Sequence, residues 1–135
     1  MFQIWDVETG NLIKTLEGMH SVFVTKLAVR PDGTILACGV RDEKVCAWEL
    51  LTDLILHTTD EIDASTLSTD GRVFAYGTSN CDLVLWDLFN ERELCRLVGH
   101  TALIGGITIS LDREFIATYS TDHSIKIWGI PELEI

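Results

Sequence analysis

One spacing, 28 residues from a His or Thr to a Trp, occurs three times in this 135-residue chain. His100 stands 22 positions before Asp122 and 28 before Trp128, and His20 stands 22 before Asp42 and 28 before Trp48. The third copy, Thr58 to Trp86, keeps the length with Thr58 in place of the His and Asn80 in place of the Asp. Three copies in phase make a repeat array, in which each unit needs its neighbours to bury its faces.

Within the array, short apolar runs alternate with turn signals. Strands are expected at 2–5, 12–16, 22–29, 34–40, 44–48, 54–57, 62–67, 73–77, 83–86, 94–98, 103–109, 115–119 and 124–128, with one more beginning after Gly129. Pro31-Asp32-Gly33 and Thr69-Asp70-Gly71 are turns with a mechanism, because Pro presets φ and Gly accepts a positive one. No 3.6-residue period persists, and the strands follow one another at the spacing of an antiparallel meander, so the chain is all-β. Runs such as Leu83-Val84-Leu85-Trp86 are apolar on both faces, as expected of small sheets stacked against one another.

Composition excludes several classes. The net charge is −11 and no basic cluster appears, which argues against nucleic acid and against anionic membrane surfaces. No apolar run is long enough to span a bilayer, and no leader-like run precedes Phe2-Gln3-Ile4-Trp5. Cys38, Cys46, Cys81 and Cys95 form no CxxC pair, so they read as reduced structural thiols and no metal or other cofactor is expected. A cytoplasmic protein is the expectation, with the nucleus as the alternative.

The motifs Trp5-Asp6 and Trp86-Asp87, the variants Trp48-Glu49 and Trp128-Gly129, and Gly99-His100 with the looser Gly18-Met19-His20 resemble those of WD-repeat β-propellers. The Trp-to-Trp intervals of 43, 38 and 42 residues suit one four-stranded blade each. The resemblance covers the whole chain and implies all-β blades in an incomplete ring: a partial blade at 1–17, blades at 18–57 and 58–98, and a blade at 99–135 with its last strand partial. It also implies a buried hydrogen-bond network in each full repeat. Carried over, that network is Asp122, His100, Thr118 and Trp128 in the last repeat. In the first it is Asp42, His20 and Trp48, with Cys38 at the hydroxyl position. In the middle repeat only Trp86 remains. His57 and His123 read as loop residues exposed to solvent.

A His, an Asp and a hydroxyl invite a catalytic reading. The same His and Asp recur in frame at His20 and Asp42, whereas a catalytic site occurs once, so the set reads as structural and no enzyme is expected. The resemblance implies a scaffold for other proteins or peptides. Candidate contact residues are those beside the turn Asp (Arg41, Ser79 and Thr121) and those three after the His position (Phe23 and Leu103, with Glu61 in the middle copy). A regulatory WD segment of a larger NTPase- or kinase-type signalling protein is the alternative. About three and a half blades cannot close a common ring. Three arrangements answer this: a piece of a longer chain, which the mid-blade start favours, a homodimer that completes the propeller, or an open array capped by a partner.

Overall fold

The computed structural model describes residues 2–16, 22–60 and 64–129. It contains thirteen strands among the described residues and no helix. β1 (Phe2–Trp5) and β2 (Leu12–Leu16) form a two-stranded sheet. β3 (Val22–Val29), β4 (Ile35–Arg41), β5 (Lys44–Glu49) and β6 (Ile55–Thr59) form the second sheet in sequential order. β7 (Ser65–Leu67), β8 (Val73–Gly77), β9 (Leu83–Asp87) and β10 (Arg92–Leu97) form the third. β11 (Ile104–Ile109), β12 (Phe115–Ser120) and β13 (Ile125–Gly129) form the fourth. Every pairing is antiparallel. The strand expected after Gly129, and the start of the one expected at 62–67, lie outside the described residues.

Because strand side chains alternate, each middle sheet has two apolar faces and buries both. Leu36, Cys38, Val45 and Ala47 of the second sheet pack against Phe74, Tyr76, Val84 and Trp86 of the third. The third sheet's other face, Val73, Ala75, Leu83 and Leu85, packs on Ile104, Ile116 and Trp128 of the fourth. Trp48, Ala37 and Cys46 face the first sheet through Phe2. Trp48, Trp86 and Trp128 thus each face the preceding sheet. β7 lies between β3 and β11, so the first strands of the second, third and fourth sheets line one side of the stack.

The hairpins explain where the chain turns. Between β3 and β4, Gly33 takes φ +89°, and the Asp32 carboxylate accepts the Thr34 N–H at 2.8 Å. Between β7 and β8, Gly71 takes φ +71°. The matching turn between β11 and β12 puts Arg113 at φ 61°, held by Ser110 and Asp112.

The β4–β5 hairpin departs from the other two on its end of the stack. Arg41 pairs directly with Lys44, so the loop is only Asp42 and Glu43, both left-handed at φ 51° and 66°. The β8–β9 and β12–β13 loops each take one residue more, closing with Thr78–Asp82 and Ser120–Ser124 hydrogen bonds and a left-handed Cys81 or His123. The result is a one-residue change of register. Trp86 faces Phe74 and Trp128 faces Ile116, each twelve residues back, but Trp48 faces Ala37, eleven back. A one-residue slip sends a side chain to the opposite face.

Two further expectations change. β6 runs to Thr59, past the strand end expected at 57, so Thr58 pairs with Cys46 inside a strand rather than opening a new repeat. His57 lies on that strand, not in an exposed loop. The outward faces at the two ends of the stack stay open: Trp5, Leu12 and Ile13 on the first sheet, and Phe115, Tyr119, Ile125 and Ile127 on the fourth, are exposed. The ring is not closed.

Candidate functional site

Antiparallel connection puts the β4–β5, β8–β9 and β12–β13 hairpins at one end of the stack, beside the loops that link one sheet to the next. Most of the sequence-derived site residues gather at this end; Trp48 and Trp128 stand farther along their strands, and His20 lies outside the described residues. The fourth sheet carries a continuous hydrogen-bonded chain. Trp128 Nε1 donates to Thr118 Oγ1 at 3.0 Å. Thr118 Oγ1 lies 2.6 Å from His100 Nε2, and His100 Nδ1 lies 3.0 Å from Asp122 Oδ2. The Asp122 carboxylate can only accept, so the tautomer assigned from this network is Nδ1–H; Nε2 then accepts the Thr118 hydroxyl hydrogen, while that oxygen accepts from Trp128. Edge-on packing of His100 on Trp128, with centroids 6.2 Å apart, completes the set.

Asp122 Oδ2 also accepts the Thr101 N–H at 3.0 Å, and its Oδ1 accepts the Ser124 N–H at 2.9 Å and the Ser124 hydroxyl. The Ser124 hydroxyl and the Thr101 amide each outweigh the cost of burial and, with a lesser part from His100, hold this carboxyl far below the ordinary value of 3.8. The unfolded chain takes up this proton first as pH falls, so the contribution is complete above 3.8 and is lost toward the lower folded value. Asp122→Asn is expected to flatten the fall in urea stability between about pH 5 and 2; an unchanged acid profile in the variant would count against the assignment.

The other repeats are wired differently. In the second sheet Cys38, ten residues before Trp48 as Thr118 is before Trp128, points away from Trp48 because of the shifted register. Its thiol meets Thr25 and Ser65 at the inner edge instead, and burial raises its pKa. The residue on the Trp48 face is Gly39, and Trp48 Nε1 is buried with no hydrogen-bond partner among the described residues. Asp42 sits at the tip of its tight hairpin; His20 and Glu61 lie outside the described residues. In the third sheet Tyr76 occupies the hydroxyl register, and Trp86 Nε1 is likewise buried without a partner.

Arg41, expected to offer a free guanidinium, is engaged. It forms a two-pronged ion pair with Asp53 at 2.7 and 2.9 Å and lies over the Trp48 ring, 5.4 Å from its centroid. With no side chain on Gly39, the arginine covers the indole. Phe23 is 71% exposed and Leu103 46%, both at the hairpin end, and Ser79 and Thr121 are exposed beside them in sequence order on the next two hairpins.

The Trp-Asp dipeptides have a separate role at the opposite end. Asp87 is fully buried and accepts the Phe89 and Asn90 N–H groups at 2.8 and 3.2 Å, and the Asn90 side-chain amide at 2.8 Å. Burial pushes its carboxyl up, but these donors and Arg72 outweigh that and hold it below the ordinary value. Asp6 caps the equivalent turn through the Glu8 and Thr9 N–H groups. Phe89 in that turn has the guanidinium carbons of Arg30 and Arg72 both 4.6 Å from its ring centroid, and Arg30 Nε donates to Gly71 O at 3.2 Å, tying the second sheet to the third. Sequence reasoning missed this staple and His57, since nothing in the spacing marks contacts between sheets. Among the described residues no group of three His, Cys, Asp or Glu could hold a metal, and no helix is long and apolar enough to cross a membrane.

Four-stranded antiparallel meanders stacked face to face, each with a Trp on its third strand turned toward the preceding sheet, are the blades of a β-propeller. The model of the WD domain, G-beta repeat, matches residues 10–49 and 91–129, more than half of the chain, and the chain belongs to this WD-repeat family. Residues 50–90, outside both matches, hold most of the sheet that lacks the His and Asp. The chain is 30% identical over 133 residues to a WD repeat-containing protein WDS homolog of Arabidopsis thaliana, covering 94% of this chain and 25% of that protein. It is 26% identical to Autophagy-related protein 16 of Arabidopsis thaliana, over 98% of this chain and 26% of that protein. It is 27% identical to the Anaphase-promoting complex subunit cdc20 of Dictyostelium discoideum, over 99% of this chain and 29% of that protein. The chain thus spans about a quarter of the length of these curated relatives.

Proposed function

We propose that this chain is a non-enzymatic WD-repeat scaffold whose hairpin end receives a protein or peptide partner. The observation that carries the reading is the exposure of Phe23, 71%, on a paired strand at the hairpin end of the stack. Exposed aromatic anchors on rigid elements are where binding energy concentrates. Leu103 supplies a second apolar contact, and Ser79 and Thr121 supply polar ones. Arg41 contributes through the Trp48 joint rather than as a free cation. In this reading the network of the fourth sheet, Asp122, His100, Thr118 and Trp128, holds the platform and does no chemistry; one blade earlier Arg41 over Trp48 takes that place. The net charge of −11 is unsuited to nucleic acid or anionic lipid, and a cytoplasmic or nuclear setting fits. The name of the Dictyostelium relative, a subunit of a complex, is in keeping with a protein partner.

The test is quantitative partner recovery. Phe23→Ala combined with Leu103→Ala is expected to lower recovery of cross-linked partners about tenfold, as loss of an apolar anchor does, with circular dichroism unchanged. Undiminished recovery by the double variant would remove this surface from consideration. The open outer faces of the first and fourth sheets call for a covering layer, and a two-copy ring is one way to supply it. Sedimentation showing the mass of two chains supports that pairing, and a monodisperse monomer sinks it.

A further inference from the structure

His57 occupies the joint between the second and third sheets. It stands on β6, and its imidazole lies flat on the Trp86 indole, with centroids 4.0 Å apart and planes 17° from parallel. Phe74 meets it edge-on at 6.0 Å and Tyr76 lies 5.8 Å away. Its Nε2 is buried with no hydrogen-bond partner among the described residues.

The charges around this ring are few. β5 places Ala47 opposite it, β8 contributes Phe74 and Tyr76, and β9 contributes Trp86. The Tyr76 phenol is the one titratable group among these. On β10, Glu93 sits opposite Trp86 and is paired with Arg96 at 3.0 Å. Beyond β6 itself, Asp60 is paired with Lys44 at 3.5 Å. Among the described residues no carboxylate is seen in a hydrogen bond or ion pair with the imidazole. The next joint is built otherwise: the residue 29 positions before Trp128, as His57 is before Trp86, is Gly99. An added Cβ there would lie 2.7 Å from the Trp128 ring, so that joint has no room for a side chain.

We propose that His57 is an acid-sensitive latch of the joint between the second and third blades, seated on Trp86 when neutral and released when protonated. A cationic imidazolium would carry a buried N–H with no acceptor, and the attraction of the indole face replaces only part of its lost hydration. Burial accordingly pushes the pKa of this histidine below its ordinary 6.5. With the latch open, the ring takes a proton near 6.5; closed, it does so only at lower pH. Between the two values the open state binds more protons, so the joint is firm above 6.5 and weakens as pH falls.

The experiment follows the His57 ring by NMR and, on the same sample, amide exchange of β6, β8 and β9 from pH 7.5 to 5.5, corrected for intrinsic rates. The ring is expected to titrate below 6.5. Protection in these strands is expected to drop by up to about tenfold relative to β12, the limit for one proton taken up one unit below an open-state value of 6.5. In His57→Phe, which keeps a ring on Trp86, the pH-dependent part should vanish while protection at pH 7.5 persists; His57→Gln serves as the second non-titrating variant. A His57 midpoint at or above 6.5, no acid loosening in the wild type, or the same loosening in both variants overturns the proposal.

Discussion

Gly39→Ala destabilises the second blade by about 3–5 kcal/mol in urea unfolding, the range in which backbone strain and overpacking act together. Gly39 has φ +152°, a conformation that L side chains rarely adopt. A Cβ there would lie 2.1 Å from the Phe23 carbonyl oxygen and 3.0 Å from the Thr25 amide nitrogen. Both obstacles are backbone, so no rotamer change relieves them. The close approach coincides with the irregularity between Val24 and Lys26, where β3 carries one residue more than β4. Thr25, the extra residue, turns its hydroxyl toward the Ser65 hydroxyl and carbonyl, 3.1 and 3.2 Å away across the joint. The glycine thus permits a bulge that lets the inner strand reach the next blade. The variant should lose protection in β3 and β4 and weaken β7, leaving the fourth sheet unaffected. A loss below about 1 kcal/mol, the size of an ordinary surface change, would mean that the strands can move apart.

The second large effect lies in the fourth sheet. Thr118→Val keeps the shape of the residue and removes the hydroxyl that accepts from Trp128 Nε1 and contacts His100 Nε2. Thr118 is 2% exposed and His100 6%, so water does not readily replace the lost partner. One buried and one part-buried nitrogen left unpaired cost about 2–4 kcal/mol, at about 1–3 kcal/mol each with part recovered by relaxation. Cys38→Val, the same substitution by sequence spacing, should cost less than about 1.5 kcal/mol as a swap of near-equal volume. Equal losses at the two positions in parallel urea titrations would contradict the difference in wiring between these blades.

That contrast also marks how far the sequence could be read. The all-β class, the meander and the stacked sheets follow from two-residue alternation and turn residues, physical signals that lie along the chain. Thirteen strands were expected within the described span and thirteen are present, with ends shifted by a few residues. The set in the fourth sheet was legible because its hairpin has the loop length that the spacing assumes. The second sheet was not, because counting from Asp42 to Trp48 cannot tell a two-residue loop from a three-residue one. Two-residue loops of this kind are usually announced by Asn-Gly or Asp-Gly, and Asp42-Glu43 carries neither. One residue of slip moved Cys38 off the Trp48 face and brought Arg41 onto it. His57, Arg30 and Phe89 were illegible for another reason: they act between sheets, and the partner of a side chain in the next blade is not written in its own strand.

The central claim is that Thr118 and His100 act as one unit that holds the last blade. A double-mutant cycle on Thr118→Val and His100→Ala, read by urea unfolding at pH 7, tests it most directly. The network predicts a coupling of about 1–3 kcal/mol, the double variant losing much less than the two single losses together. Losses that add to within about 0.5 kcal/mol, as for independent sites, would contradict it.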